Sequence, residues 1–226
     1  MNTPYFPIWR RNLAPAGRRM ALCRQRCPVE IEAQCARFLS ERALSPPVQG
    51  KRRRRRVFFL SRVFWCFVWQ VLQPRTSCRA VVRQVQAFCE TEHRRFDEST
   101  SAYCQARVRL PRHCLQQSLT DSAQAADHLS LQGVPGWQRP IKVVDATGVR
   151  LADTAANRKR YPYPSGQRPG CGFPVMKVLG LYSLASGAIL KTVEGPWYRH
   201  DRRLFQDIWP QLCPGDIALG DRAFGA

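Results

Sequence analysis

The hydrophobic period of this chain changes once, at the breaker-rich segment GVPGWQRP (133–140). Before it, apolar residues recur every three or four positions, the spacing of helices that bury one face. After it come short apolar runs bounded by Gly, Pro and Ser, the pattern of strands. That single switch predicts a helical part followed by a mixed α/β part. The 226 residues, 44% of them apolar, suffice for two small domains with real cores, and long disorder is not the default.

In the first part, residues 1–28 are rich in Pro and Arg and are expected to be poorly ordered. Pro28 can open a helix, along which Ile31, Cys35, Phe38 and Leu39 follow at helical spacing before Ser45-Pro46-Pro47 ends it. Residues 57–72 (VFFLSRVFWCFVWQVL) form a 16-residue apolar stretch broken by Arg62 and Gln70. A membrane span needs about 20 mostly apolar residues, and a central Arg costs about 2.5–3.5 kcal/mol on insertion scales. A buried core helix, with Trp65 and Trp69 in it, is therefore expected. A third helix reads from 77 to 92, with Val81, Val85, Phe88 and Cys89 on one face and Arg79, Arg83 and Gln86 off it. A short helix with a Ser/Thr cap over 99–111 and one over 113–131 complete a basic helical unit, 29–131.

Charge is lopsided in the same sense. The chain has 36 Lys and Arg against 16 Asp and Glu, a net charge of +20. Residues 1–113 hold +16 of this and residues 114–226 only +4. Such an excess selects polyanionic partners, nucleic acid or an anionic membrane surface. Lys51 with Arg52, Arg53, Arg54, Arg55 and Arg56 forms a like-charge block that can clamp phosphates or remain a solvated segment. Arg79 and Arg83 extend the candidate DNA-contacting set.

The ten cysteines form no CxxC pair and have no matching His-x-x-x-His set, so no zinc site is expected. No apolar secretory segment occupies the first 30 residues. Reduced, buried thiols in a cytoplasmic chain are the expectation.

Beyond the linker, residues 141–145 (IKVVD), 174–184, 188–193 and 216–221 (DIALGD) read as strands, with an Ala185-Ser186-Gly187 turn between the second and third. An amphipathic helix over 200–212 carries Leu204, Phe205, Ile208, Trp209 and Leu212 on one face, kinked by Pro210. Asp145 and Asp221 share a pattern, each following an apolar run and preceding small or turn-forming residues. Two carboxylates at the mouth of one sheet repel each other, and burial raises their pKa. A hard divalent cation removes that penalty while keeping positions open for water and phosphate. An aspartate that merely caps the next loop is the alternative. Arg158, Lys159 and Arg160 precede a Pro/Gly-rich loop (YPYPSGQRPG) that can follow a DNA backbone; its Tyr161 and Tyr163 can stack on bases or pack within the loop. His200, before Asp201, is a DNA-proximal candidate or a plain helix N-terminal residue.

At these residues the chain resembles a known family. The block running from VVDATGVRLADTAANRKRYPYPSG through FPVMKVLGLYSLASGAILKTVEGPWYRHDRRLFQDI to PGDIALGDRAFG is similar to the catalytic part of bacterial insertion-sequence transposases of the DDE class, the branch called insertion sequence four. VVDAT and GDRAF look like the motifs of its first and second aspartates, and FLSRVFWCFVWQVL and STSAYCQARVRLP look like its N-terminal region. The resemblance runs from about residue 53 onward. It implies a ribonuclease H-like α/β domain over 141–226 after the helical DNA-binding domain, joined by a linker at 132–140. It further implies Mg²⁺ (or Mn²⁺) held by Asp145 and Asp221, DNA strand cleavage and transfer, and terminal inverted repeats as double-stranded substrate. A bacterial cytoplasmic, nucleoid-associated protein with no membrane partner is expected, able to self-associate or to join a full-length transposase.

The departure from the family is the third carboxylate. Its Glu lies on a downstream helix, whereas the last Glu here, Glu194, precedes Asp221. The expectation is thus a C-terminally truncated, incomplete catalytic domain with uncovered apolar surface and poor solubility, inactive alone. A non-catalytic fragment that occupies transposon ends and inhibits the full enzyme, or a decayed gene product, are the alternatives.

Overall fold

The computed structural model describes residues 21, 24–45, 57–91, 99–131, 139–166 and 172–224. Most of 1–28, the whole 51–56 block and residues 132–138 of the linker lie outside them, and with them the candidates Arg52 to Arg56. The fold is mixed α+β. By its contacts it divides into two compact units, one ending at Gln117 and the other starting at Ser118.

The first unit is helical. α1 (Pro28–Cys35) starts at the expected proline, and Glu30 accepts a 2.7 Å hydrogen bond from the Cys27 N–H, closing the helix start. It is shorter than the apolar spacing suggested, because Ala36–Phe38 tighten into a 3-10 turn. α2 (Leu60–Leu72) is the core helix expected of the apolar stretch, with Val63, Phe64, Trp65, Cys66 and Trp69 buried. α3 (Cys78–Thr91) contributes Val81, Val82, Val85 and Cys89, and α4 (Ser101–Val108) the fully buried Tyr103. Among the described residues no helix is long and apolar enough to cross a membrane.

Arg62 and Gln70 of α2 are accommodated rather than exposed. Arg62 stacks over the Phe59 ring, 5.0 Å from its centroid, and reaches the Val57 carbonyl. Gln70 donates to the Thr76 carbonyl and accepts from Tyr103 Oη at 2.9 Å and from Arg107 at 3.0 Å. Burial pushes the Cys66 thiol up to about 12, so it is inert at neutral pH. The two tryptophans differ. Trp69 Nε1 donates to the Arg26 carbonyl at 2.6 Å, whereas Trp65 Nε1 is buried with no hydrogen-bond partner among the described residues. Trp69→Phe is therefore expected to cost about 1 kcal/mol more than Trp65→Phe in urea denaturation, since only the former orphans an acceptor.

The division between the units falls inside α5 (Arg112–Leu131), whose second half groups with the sheet. Asp127 of that half accepts a hydrogen bond from Ser186, in the turn between the second and third strands. A long amphipathic helix carries no sequence mark for a change of packing partner halfway along it.

The second unit is built on a four-stranded sheet of order β3-β2-β1-β4. β1 (Ile141–Arg150), β2 (Val175–Ser183) and β3 (Ile189–Pro196) run antiparallel, turning at Gly187 with φ +71. β4 (Ile217–Leu219) lies parallel to β1, beyond it. Between β1 and β2 sits the short α6 (Ala155–Arg160), capped by Thr154, whose Oγ1 accepts from the Asn157 N–H. Between β3 and β4 sits α7 (Asp201–Gln206). One sheet face packs on α7: Val144, Leu179, Leu181, Leu204 and Ile208 are its buried core.

Three strand and helix limits depart from the sequence reading. β1 does not stop at Asp145 but continues to Arg150, because β2 supplies antiparallel partners as far as Arg150↔Val175. β4 is three residues long, and Asp216 lies outside it. The 200–212 helix is not one kinked helix: α7 ends at Gln206, and Pro210 sits in a separate 3-10 turn, Trp209–Gln211. Proline lacks the N–H for a helical bond and disfavours helical geometry at the residue before it. Trp209 is in consequence 57% exposed instead of facing the core.

Candidate metal and nucleic-acid site

The two aspartates lie on neighbouring segments of the sheet unit. β4 pairs with β1 as Ile141↔Ile217, Lys142↔Ala218 and Val143↔Leu219. Asp145 is on β1, two residues past the last of these pairs, and Asp221 is not the strand-end residue expected but follows two residues after the end of β4. Side chains alternate between the faces of a strand, so Val144 enters the core against α7 while Asp145 faces the other way and is exposed. Asp145 Oδ1 accepts from the Ala146 N–H at 2.8 Å. The burial expected at the mouth of the sheet is absent: both aspartates are exposed.

Two devices hold that register. The first is a clasp at the start of β4. Lys142 of β1 pairs with Asp216 at 2.6 Å and donates to the Gln211 carbonyl at 3.0 Å, both charged side chains being largely buried (13% and 6% exposed). The Cys213 N–H donates to the same carboxylate at 2.6 Å. Desolvation alone would raise the Asp216 pKa, but the Lys142 ammonium and this N–H outweigh it and hold the carboxyl below its ordinary value.

The second device is in the GDRAF segment. The Asp221 carbonyl accepts from the Phe224 N–H at 3.1 Å, closing a 3-10 turn over Arg222–Phe224. The Phe224 ring folds back over Gly220, where a Cβ would stand 2.8 Å from Phe224 Cδ2. It also meets the Phe205 ring of α7 edge to face at 5.6 Å. Gly220 and Phe224 thus fix the chain on either side of Asp221.

The donor set fits a hard divalent cation in part. Asp145 and Asp221, both exposed, carry oxygen ligands of the kind Mg²⁺ and Mn²⁺ take. Among the described residues no group of three or more His, Cys, Asp or Glu side chains is gathered.

The basic candidates divide. Arg79 and Arg83 are exposed on α3, four residues apart and so on one side of the helix. Arg158, Lys159 and Arg160 end α6, all exposed. Arg158 pairs with Asp153 at 3.0 Å and Arg160 with Glu194 of β3 at 2.8 Å. Exposed pairs of this kind are worth little and yield to a better anion. Tyr161 is buried, and Tyr163 donates to Asp153 at 2.6 Å while its carbonyl accepts from Trp197 Nε1. The loop-packing alternative for both tyrosines is the one realised. His200 caps α7, its Nδ1 accepting from the Arg202 N–H at 3.3 Å.

No protein-family model, curated protein or solved structure matches this chain. The site is therefore read from its own residues. Lys142, Asp216, Gly220 and Phe224 were not singled out in the sequence. A lysine one residue into an apolar strand was the available signal for the clasp, and the Gly-Asp-x-x-Phe spacing the signal for the turn.

Proposed function

We propose that this chain binds DNA and carries the two-aspartate part of a DDE-type, Mg²⁺- or Mn²⁺-dependent strand-cleavage and strand-transfer site, with a ribonuclease H-like sheet as its frame. The observation that carries the reading is the parallel β1–β4 pairing: Asp145 stands exposed on β1, and Asp221, also exposed, follows two residues after the end of β4. The strand order β3-β2-β1-β4, with three antiparallel strands followed by a parallel fourth, supports the ribonuclease H-like assignment. A net charge of +20, with exposed Arg79 and Arg83 on one helix and Arg158, Lys159 and Arg160 on another, supports a polyanionic substrate.

In this reading the work divides. Arg and Lys side chains neutralise backbone phosphates and align the duplex. Asp145 and Asp221 hold the cation, which when bound supplies a polarised water or 3′-hydroxyl and stabilises the leaving oxygen. The Lys142–Asp216 clasp fixes β4 against β1, and the Phe224 turn fixes the chain around Asp221. Terminal inverted repeats are the proposed substrate, and self-association or association with a longer transposase is the proposed assembly.

Band shifts on inverted-repeat and random duplexes test the binding. Affinity for the former should exceed that for the latter and fall steeply with salt, each neutralised phosphate contributing about −0.9 to the log–log slope. Arg79→Ala/Arg83→Ala is expected to flatten the slope by about 2. Equal affinity for both duplexes would remove end recognition, and an unchanged slope would remove these two arginines from the interface.

A further inference from the structure

Two half-buried cysteines meet where α3 and α4 touch, within the helical unit. Cys78 is the first residue of α3, and Cys104 follows the fully buried Tyr103 on α4. Their thiols are hydrogen-bonded to each other. Gln70 of α2 holds the meeting point in place. Its Nε2 lies 3.8 Å from Cys78 Sγ and donates to the Thr76 carbonyl, just before α3. Its Oε1 accepts from Tyr103 Oη at 2.9 Å and from Arg107 at 3.0 Å, on either side of Cys104. One side chain thus ties the start of α3 to the turn of α4 that carries the second thiol.

Cys66, Cys89 and Cys114 are buried, closed to a reagent in water. Cys78 and Cys104 combine partial exposure with a second thiol in contact, and both are reduced. A small disulfide can reach such a pair, and the neighbouring thiol then completes the exchange without the chain having to bring it from a distance. Disulfides of this kind inside cells are mostly transient and redox-sensing.

We propose that Cys78 and Cys104 are a reversible redox pair, oxidised by a small disulfide such as oxidised glutathione to a bond that staples α3 to α4. The thiolate of one cysteine attacks the glutathione disulfide and expels one glutathione thiolate. The thiolate of the other attacks the resulting mixed disulfide and expels the second. The two protein thiols lose two protons and two electrons, and the glutathione disulfide takes up both as it becomes two thiols. The new bond closes the chain from 78 to 104 and so restricts the unfolded state, while the folded helices already stand in contact.

The experiment uses the full chain, folded, in mixtures of reduced and oxidised glutathione. After remaining thiols are alkylated, peptide mass mapping should find Cys78 linked to Cys104 once the oxidised form is in excess, and dithiothreitol should undo the link. Oxidised wild type should melt about 10 °C above the reduced protein. Cys104→Ser should lose that gain and trap Cys78 as its glutathione mixed disulfide, and Cys78→Ser should trap Cys104 in the same way. The map of the wild type reports the bond by itself, so a variant that folds poorly does not hide the result. Separate glutathione adducts on Cys78 and Cys104 of the wild type, with no link between them, overturn the proposal. So does a link that forms equally well in urea, where the fold brings nothing together, and so does a link that leaves the melting temperature unchanged.

Discussion

Lys142→Met should destabilise the sheet unit by about 3–5 kcal/mol, among the largest losses any single surface-to-core change can give here. Methionine keeps the stem of the side chain but leaves the Asp216 carboxylate, 6% exposed, without its cation. The cost comes from an uncompensated buried charge more than from the lost attraction. Lys142→Met/Asp216→Asn should accordingly be less damaged than Lys142→Met alone. The pH dependence reverses as well. In the wild type the Asp216 pKa is lowered from its ordinary 3.8, so its stabilising contribution is present above that value and is lost as pH falls through the lower folded pKa. Without the lysine, desolvation dominates and raises the folded pKa above the unfolded one, so the variant should gain relative stability as the pH falls toward the unfolded value. Urea midpoints measured across the acid range decide this; parallel acid limbs in variant and wild type would contradict it. Because β4 has only three paired residues on β1, the same variant should also loosen β4 and the Asp221 segment that follows it.

The second large effect lies where α7 meets the sheet. Leu204 is fully buried among Val144, Leu179, Leu181 and Ile208, and Leu204→Ala should cost about 2–5 kcal/mol in lost transfer energy and cavity. Its neighbour explains a glycine. A Cβ at Gly195 on β3 would stand 2.8 Å from Leu204 Cδ2 and 3.3 Å from Arg199 Cδ. Gly195→Ala in the wild type should therefore cost about 1–3 kcal/mol through overpacking. In the Leu204→Ala background the clash with leucine is gone, and the added methyl refills part of the space. The double variant should be more stable than the two single losses added together, with a coupling of about 0.5–3 kcal/mol. Simple additivity in denaturation would show that Gly195 is there for another reason.

The same two regions show how far local pattern reaches. α2 and α3 were readable because their apolar residues repeat at a helical period over three or more turns, and helix formation is decided within that distance. The start of α1 at Pro28 follows from proline's fixed geometry. Limits set by a partner were not readable. β1 runs five residues past Asp145 because β2 is long enough to pair with it, and the 200–212 stretch splits because one proline outweighs an amphipathic pattern. The passage of α5 from one unit to the other depends on what each half packs against.

The candidate site divides in the same way. Asp145 and Asp221 stand out in the chain because a carboxylate after an apolar run is chemically conspicuous. How their segments are placed is not local: it depends on β4 joining β1 in parallel, in a register held by a largely buried ion pair, with an aromatic turn after it. By itself, then, the sequence determined the two-part organisation, the basic bias, most of the elements and the identity of the conspicuous acids, all of which rest on composition and on interactions within a few turns or a few strand residues. Only the tertiary structure decided which residues pair across the sheet and which charges are buried together. Those relations join positions tens of residues apart, and pairing and packing create them.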